Sequence, residues 1–375
     1  MRRWRDGARA ASMAATGAAA MLALAIGACQ RSPEPQTQEA RQPARQAPVI
    51  ASDTEPSATL AAVRQRGRLN CGVHEGLVGF AHTDNRGAWR GFDVDFCRAT
   101  AAAIFGDPDA VRFVPLTTEQ RFEALRDGRV DVLWRNTSWT MSRDTGAQLS
   151  FAGINYYDGQ GFMVRRSLNL SSAAELNGAR ICVQSGSTTE LNVEDYFRRR
   201  GIEYRPVVVA TEGEARQAYA REECDAFTAD ISALAAARTT LPNPQQHVIL
   251  PDVISKEPLG PVTRSGDDRW TAVIRWTLNA LILAEELGVT RANVADMSKN
   301  SPDPRVKRLL GDEGDFGPSI DLSRTWATDA ISAGGNYGEI FSRNLGAQSS
   351  LDLDRGLNAQ WSARSGGLIY GLPVR

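Results

Sequence analysis

A pattern of strand, helix, strand, helix, strand occurs twice in this chain, and that doubling constrains the fold more than any other feature. In the first copy a short strand at 68–73 precedes a segment at 93–105 with helical apolar spacing, stopped by Gly106 and Pro108. A strand at 111–116, a helix at 118–127 stopped by Gly128, and a strand at 130–134 complete it. The second copy runs through a strand at 180–184, a helix at 187–200 ended by Gly201, a strand at 204–209, a helix at 212–221 and a strand at 224–228. Strands alternating with helices predict parallel-type sheets flanked by helices. Two such units predict two α/β lobes.

The two copies are separated by FAGINYYDGQGFMVRR, and the second is followed by ISKEPLGPVTR. Both stretches are extended and carry Gly or Pro, so they read as two crossovers that join the lobes and form a hinge. The second leads into an amphipathic helix at 268–287, which reads as a return into the first lobe. Gly159 and Gly161 make a GxG, but no third glycine and no helix follow, so a dinucleotide site is not expected.

The N-terminus reads as a targeting segment. MRRWRDGARA is basic, and the apolar run 14–28 is too short for a comfortable membrane span. It ends Ile26-Gly27-Ala28-Cys29, which looks like a bacterial lipobox, so Cys29 is the expected lipidation site; ordinary cleavage nearby is the alternative. Residues 29–57 are rich in Pro and Gln and poor in apolar side chains, as expected of a tether that cannot bury enough surface to fold. The organisation is therefore a signal peptide at 1–28, a tether at 29–57, the first part of lobe one at 58–159, lobe two at 160–258, and a return to lobe one with C-terminal helices at 259–375.

With 375 residues and 42% hydrophobic content, the chain can build two lobes of ordinary size. A formal net charge of −1 gives no reason to expect nucleic acid as a partner. An exported chain meets an oxidising compartment, so Cys71, Cys97, Cys182 and Cys224 can pair. Cys71 lies in the first strand of lobe one and Cys97 in the helix that packs on it. Cys182 and Cys224 lie in the first and third strands of lobe two, neighbours if the strand order is 2-1-3. One bond within each lobe is predicted. No metal-ligand spacing occurs and the three histidines are scattered, so no metal or cofactor is expected.

Ligands of such sheets bind beyond the carboxyl ends of the strands. That rule selects VHEGLVGFAH and RNTSWTMSR in lobe one, and QSGSTTE and TADIS in lobe two. Ser187 and Glu190 read as a capping box, but the same helix N-terminus is also an anion site. Asp230 reads as an N-cap for the helix after it, or as the partner of a bound cation. Arg143 carries a planar fork suited to a carboxylate. One guanidinium, one helix N-terminus and one carboxylate together fit a short zwitterion, and an α-amino acid is such a molecule.

From about residue 60 onward the chain resembles the periplasmic amino-acid-binding proteins of ABC transporters, which have the type II periplasmic-binding-protein fold. It is most similar to the general L-amino-acid-binding proteins of Gram-negative bacteria. LNCGV, GFDVDFCRATAAAIFGD, RNTSWTMSRD, FAGINYYDGQGFMVRR, ISKEPLGP and NYGEIFSRNLG carry the likeness. The resemblance implies that Arg143 grips the α-carboxylate, helped by Thr140 and by backbone N–H groups near Gly186 and Thr188. It implies that Asp230 takes the α-ammonium, with Ser138 and Asn136 assisting, and that Glu75, Leu77, Phe80 and Trp139 line the side-chain pocket. Trp134 departs from the expected small residue, and reads either as a wall of that pocket or as core. The family further implies a monomer that delivers L-amino acids to membrane permease subunits from the periplasm, here with membrane contact through the lipid at Cys29. An enzyme on the same fold would need a poised acid or base, for which His74, Glu75 and Glu190 are the candidates. A sensory module without a transporter would use the same pocket.

Overall fold

The computed structural model describes residues 55–375. The expected signal peptide, the expected lipidation site at Cys29 and most of the expected tether lie outside the described residues. Helix α1 (Ala58–Arg66) leads into β1 (Leu69–His74), and a small hairpin of β2 (His82–Thr83) and β3 (Trp89–Arg90) precedes α2 (Phe92–Phe105). Then come β4 (Val111–Leu116), α3 (Gln120–Arg126), β5 (Val132–Leu133), α4 (Met141–Gly146) and β6 (Leu149–Phe151). The first crossover carries β7 (Tyr156–Asp158) and continues as β8 (Gln160–Arg165). The second unit follows with β9 (Arg180–Gln184), α5 (Thr188–Arg200), β10 (Arg205–Val209), α6 (Glu212–Ala220), β11 (Ala226–Asp230), α7 (Ile231–Thr240) and β12 (His247–Ile249). The return crossover is β13 (Glu257–Leu259), followed by β14 (Val262–Arg264) and α8 (Asp268–Glu286). Five shorter helices close the chain: α9 (Val294–Asn300), α10 (Pro304–Leu310), α11 (Phe316–Ser319), α12 (Trp326–Gly334) and α13 (Tyr337–Asn344).

The strands form two five-stranded sheets, ordered β4-β1-β5-β14-β6 and β10-β9-β11-β8-β12. In each, the first three strands are parallel in a 2-1-3 order, the fourth runs opposite to them, and the fifth pairs antiparallel with the fourth and so runs with the first three. The sheets are thus mixed. A crossover strand enters each sheet directly, without an intervening helix to turn it round, and so runs opposite to its neighbour. Pro115 and Pro206 lie in β4 and β10, the outermost strands, whose free side needs no donor.

The two crossovers meet. β7 and β13 pair antiparallel, with Asp158 opposite Glu257 and Tyr156 opposite Leu259. The segment after β5 lies along the other side of β13: the Trp139 N–H donates to the Pro258 carbonyl at 2.8 Å, and the Gly260 N–H to the Thr137 carbonyl at 3.0 Å. A Cβ on Gly260 would stand 1.9 Å from the Gly153 carbonyl oxygen, so only glycine lets the crossovers pass this closely.

Two disulfides join the predicted partners. Cys71 in β1 is bonded to Cys97 in α2, with Cα atoms 6.1 Å apart. Cys182 in β9 is bonded to Cys224, just before β11, at 5.7 Å. Trp134 is fully buried and stacks on Phe96 with ring centroids 4.7 Å apart, so it belongs to the core.

Candidate functional site

The carboxyl ends of the parallel strands of both sheets border one shared cavity, lined by polar and charged side chains. From the first sheet it takes His74, Thr118, Arg121, Arg135, Asn136, Ser138 and Arg143. From the second it takes Gln184, Ser187, Thr188, Thr189, Glu212 and Asp230, among others. Contacts cross the cleft: His74 Nε2 lies 3.6 Å from Glu212 Oε2, and the Ser185 hydroxyl donates to Glu119 Oε1 at 3.5 Å.

The two faces carry opposite charge. On the first, Arg135 follows β5, and its guanidinium ties two strand ends together by donating to the Leu116 carbonyl (2.9 Å) and Thr118 Oγ1 (3.2 Å). Burial pushes it down to about 10, while Glu212, Glu75 and Asp93 act to keep it charged. Arg143, on α4, donates to the Ser138 carbonyl at 3.0 Å and lies over the Phe122 ring at 5.5 Å. Arg121, on α3, is only 4% exposed, and its Nε has no hydrogen-bond partner.

On the second face α5 points its N-terminus at the cavity. Ser187 caps it by accepting from the Glu190 N–H at 3.4 Å. Glu190 returns its bond to the Gly186 N–H (3.2 Å), one residue earlier than a capping box requires, because Gly186 sits in a left-handed turn at φ +66°. Gln160 anchors this end by donating to the Thr189 carbonyl (3.1 Å) and Thr228 Oγ1 (2.9 Å). The first N–H groups of such a helix have no intrahelical acceptor.

Asp230 ends β11 and occupies the N-cap position of α7, yet its side chain makes no capping bond. It lines the cavity instead. Burial, then Asp158, Glu257 and Glu212, push its carboxyl well above the usual range. Asp158 is pushed up to about 6, chiefly by burial, although Ser232 Oγ and the Gly159 N–H donate to it. Glu257 is 2% exposed and gathers donors from both sides of the hinge: Ser138 Oγ, Thr188 Oγ1 (3.1 Å), Asn192 Nδ2 (2.7 Å) and Ser255 Oγ (2.7 Å). Asn136 also lines the cavity, and its side-chain oxygen is buried without a donor.

The structure therefore brings together Arg143, Asp230, Thr188, Ser138 and Asn136 of the residues singled out from sequence. Others it places elsewhere. Thr140 caps α4, accepting from the Arg143 N–H at 3.4 Å, and so positions the arginine. Trp139 points away from the cavity and stacks on Phe151 at 5.1 Å, because alternate side chains of an extended segment face opposite ways and Ser138 faces in. Phe80 is core, packed edge-on against Phe92 and Tyr156. Glu75 and Leu77 border a neighbouring cavity that shares His74 and Glu212 with the first. Arg121, Arg135, Glu212, Asp158 and Glu257 were not singled out from sequence as ligand-site residues.

This geometry can be set beside known proteins. Residues 69–293 match the family described as bacterial extracellular solute-binding proteins, family 3. The chain belongs to that family. It is 52% identical over 328 residues to the general L-amino acid-binding periplasmic protein AapJ of Rhizobium johnstonii, covering 87% of this chain and 95% of that one. It is 53% identical over 319 residues to the glutamate/glutamine/aspartate/asparagine-binding protein BztA of Rhodobacter capsulatus, covering 85% and 94%. Among solved structures it resembles an ABC transporter periplasmic binding protein from Brucella ovis with glutathione bound, at TM-score 0.82 and 55% identity, covering 84% of this chain and 99% of that one. As a family member the chain is an extracytoplasmic solute-binding receptor with the two-lobed type II fold.

Proposed function

We propose that the cavity binds L-amino acids by their shared zwitterion and that the protein hands them to the permease subunits of an ABC transporter in the periplasm. One observation carries this reading: Asp230 leaves its own helix uncapped and faces the cavity across from Arg143. An α-carboxylate sits between Arg143 and the N-terminus of α5, where a fork of donors and a positive helix end converge. The α-ammonium then lies at Asp230, with the unpaired Asn136 oxygen as a further acceptor. Each ligand charge meets an opposite charge, as burial of both requires. The relatives named for L-amino acids support this, and so does the Brucella ovis structure, since glutathione carries an α-amino-acid head.

Binding proceeds by closure about the β7–β13 hinge. The first face offers its arginines, and closure brings up Asp230 and α5. The receptor works as a monomer, held near the membrane by lipid at Cys29. Calorimetric titration of the refolded, ligand-stripped protein with single L-amino acids, their D-isomers and simple carboxylates tests the reading. Micromolar binding of several L-amino acids with weak D-isomers is expected, about −8 kcal/mol each. No amino-acid binding would sink it.

A further inference from the structure

Arg121 is not accounted for by a zwitterion. Its guanidinium is nearly fully buried, lines the cavity, and makes no hydrogen bond or ion pair with any described residue. Its guanidinium carbon lies over the Phe122 ring, 4.7 Å from the centroid. A guanidinium whose Nε is sealed from water without an acceptor is costly, since that donor loses its water and gains nothing. Its neighbours make matters worse: Arg135 and Arg143 repel it, and only Asp230 attracts it. The other two arginines have acceptors. Arg135 is spent on Leu116 and Thr118, and Arg143 reaches the Ser138 carbonyl. Thr118 also lines the cavity; its oxygen already accepts from Arg135, so its O–H remains to donate.

We infer that Arg121, with the Thr118 hydroxyl, forms a distal anion site that takes a second carboxylate on the ligand, beyond the α-carboxylate held at Arg143. This rests on the amino-acid reading above and narrows it. The preferred solutes are L-amino acids whose side chain ends in a carboxylate, over their uncharged amides and over short neutral side chains. Such a ligand places one anion at each end of the arginine row and its ammonium at the acidic face. A side-chain amide can satisfy Thr118 but leaves the Arg121 charge unmatched.

The test is titration calorimetry on the whole protein, unfolded and refolded to strip ligand, with L-glutamate, L-glutamine and L-alanine. The wild type is compared with Arg121→Met and Arg121→Lys. A hydrogen-bonded buried charge predicts glutamate tighter than glutamine by roughly ten- to a hundredfold in the wild type. The ratio falls to about one in Arg121→Met. Arg121→Lys keeps the charge without the fork and falls between; it carries the test alone if circular dichroism shows the Met variant unfolded. A wild-type ratio near one, or a ratio that survives in the variants, overturns the distal site. So does an equal loss for all three ligands in Arg121→Met, which would place the α-carboxylate at Arg121. No binding of any amino acid by the wild type would overturn the proposed function itself, a result distinct from all of these.

Discussion

The two sheets of this protein have the same strand order, the same single reversed strand in fourth place and one disulfide each, yet their facing edges are chemically opposite. The first presents Arg121, Arg135 and Arg143; the second presents Asp230, Glu212 and a helix N-terminus. Two like scaffolds hold unlike edges because fold and site draw on different residues. Strand pairing uses backbone and buried apolar side chains, whereas the residues just past each strand are free to carry charge. A cleft polarised in this way selects solutes that are themselves polarised, and it stays poorly satisfied until one arrives.

The comparison breaks most sharply at Arg143. Arg143→Ala should weaken binding of every amino acid alike, by roughly a hundred- to a thousandfold, because it leaves a buried carboxylate without its fork. Calorimetry across several side-chain types reads this. A loss confined to some ligands would mean that Arg143 reads the side chain instead.

Asp230→Asn attacks the opposite face. It should weaken binding by about ten- to a hundredfold, the worth of a charge-assisted hydrogen bond to the ammonium. In the ligand-free protein it should raise the melting temperature. The raised carboxyl of Asp230 shows that its ionised form is disfavoured in the fold, mainly by burial and by the carboxylates nearby. An amide of the same shape removes that repulsion. A variant that binds normally would place the ammonium elsewhere.

Acid should act on the same face. Asp158, pushed up to about 6, and Asp230, raised well above the usual carboxylate range by burial and the carboxylates nearby, take up protons before ordinary carboxylates as pH falls. A bound ammonium favours their ionised forms, so below those ligand-free values binding must expel protons. Affinity for an L-amino acid should therefore fall on acidification from pH 7 to pH 5, up to about tenfold per pH unit for each proton expelled. Titrations in buffers of different ionisation enthalpy would show the proton release. Affinity that is flat, or that rises with acid, would exclude the acidic face as the ammonium site.

What was legible in the sequence was the scaffold and half of the cleft. β4 and β9 fall at the expected residues, and α2 and α5 stop at the expected glycines, because period and capping are local signals. Asp230 was legible because it follows a buried strand. Arg121 was not: in EQRFEALRDG it reads as one more solvated arginine on an amphipathic helix, and only the fold reveals it as a buried residue of the cavity wall. Glu257 was hidden in the same way, as an acidic residue in a crossover that gathers its donors from segments 65 and 119 residues away. The resemblance implies Trp139 and Phe80 in the pocket wall, but a likeness of sequence does not carry side-chain direction: Trp139 stacks on Phe151 and Phe80 packs against Phe92 and Tyr156.

The smallest expected effect sits where the two faces touch. His74 and Glu212 face each other across the cleft at 3.6 Å, long for a hydrogen bond but close enough to attract. The pair is not an ion pair at neutral pH. Burial and then Arg135 push the imidazole below its ordinary value, and the Gly76 N–H donates to Nδ1 at 3.0 Å. A neutral ring with Nδ1 as acceptor carries its proton on Nε2, which is the atom aimed at Glu212. His74→Gln removes one contact present only when the lobes are together, so it should weaken binding by about three- to tenfold, mainly through faster release. The relative order of ligands should not change, because His74 sits at the rim between two cavities rather than at either charged end. Stopped-flow release of a tightly bound amino acid measures the rate, and titration of a ligand panel measures the order. A hundredfold loss, or a reordered panel, would mean that His74 touches the ligand and that the second cavity holds part of it.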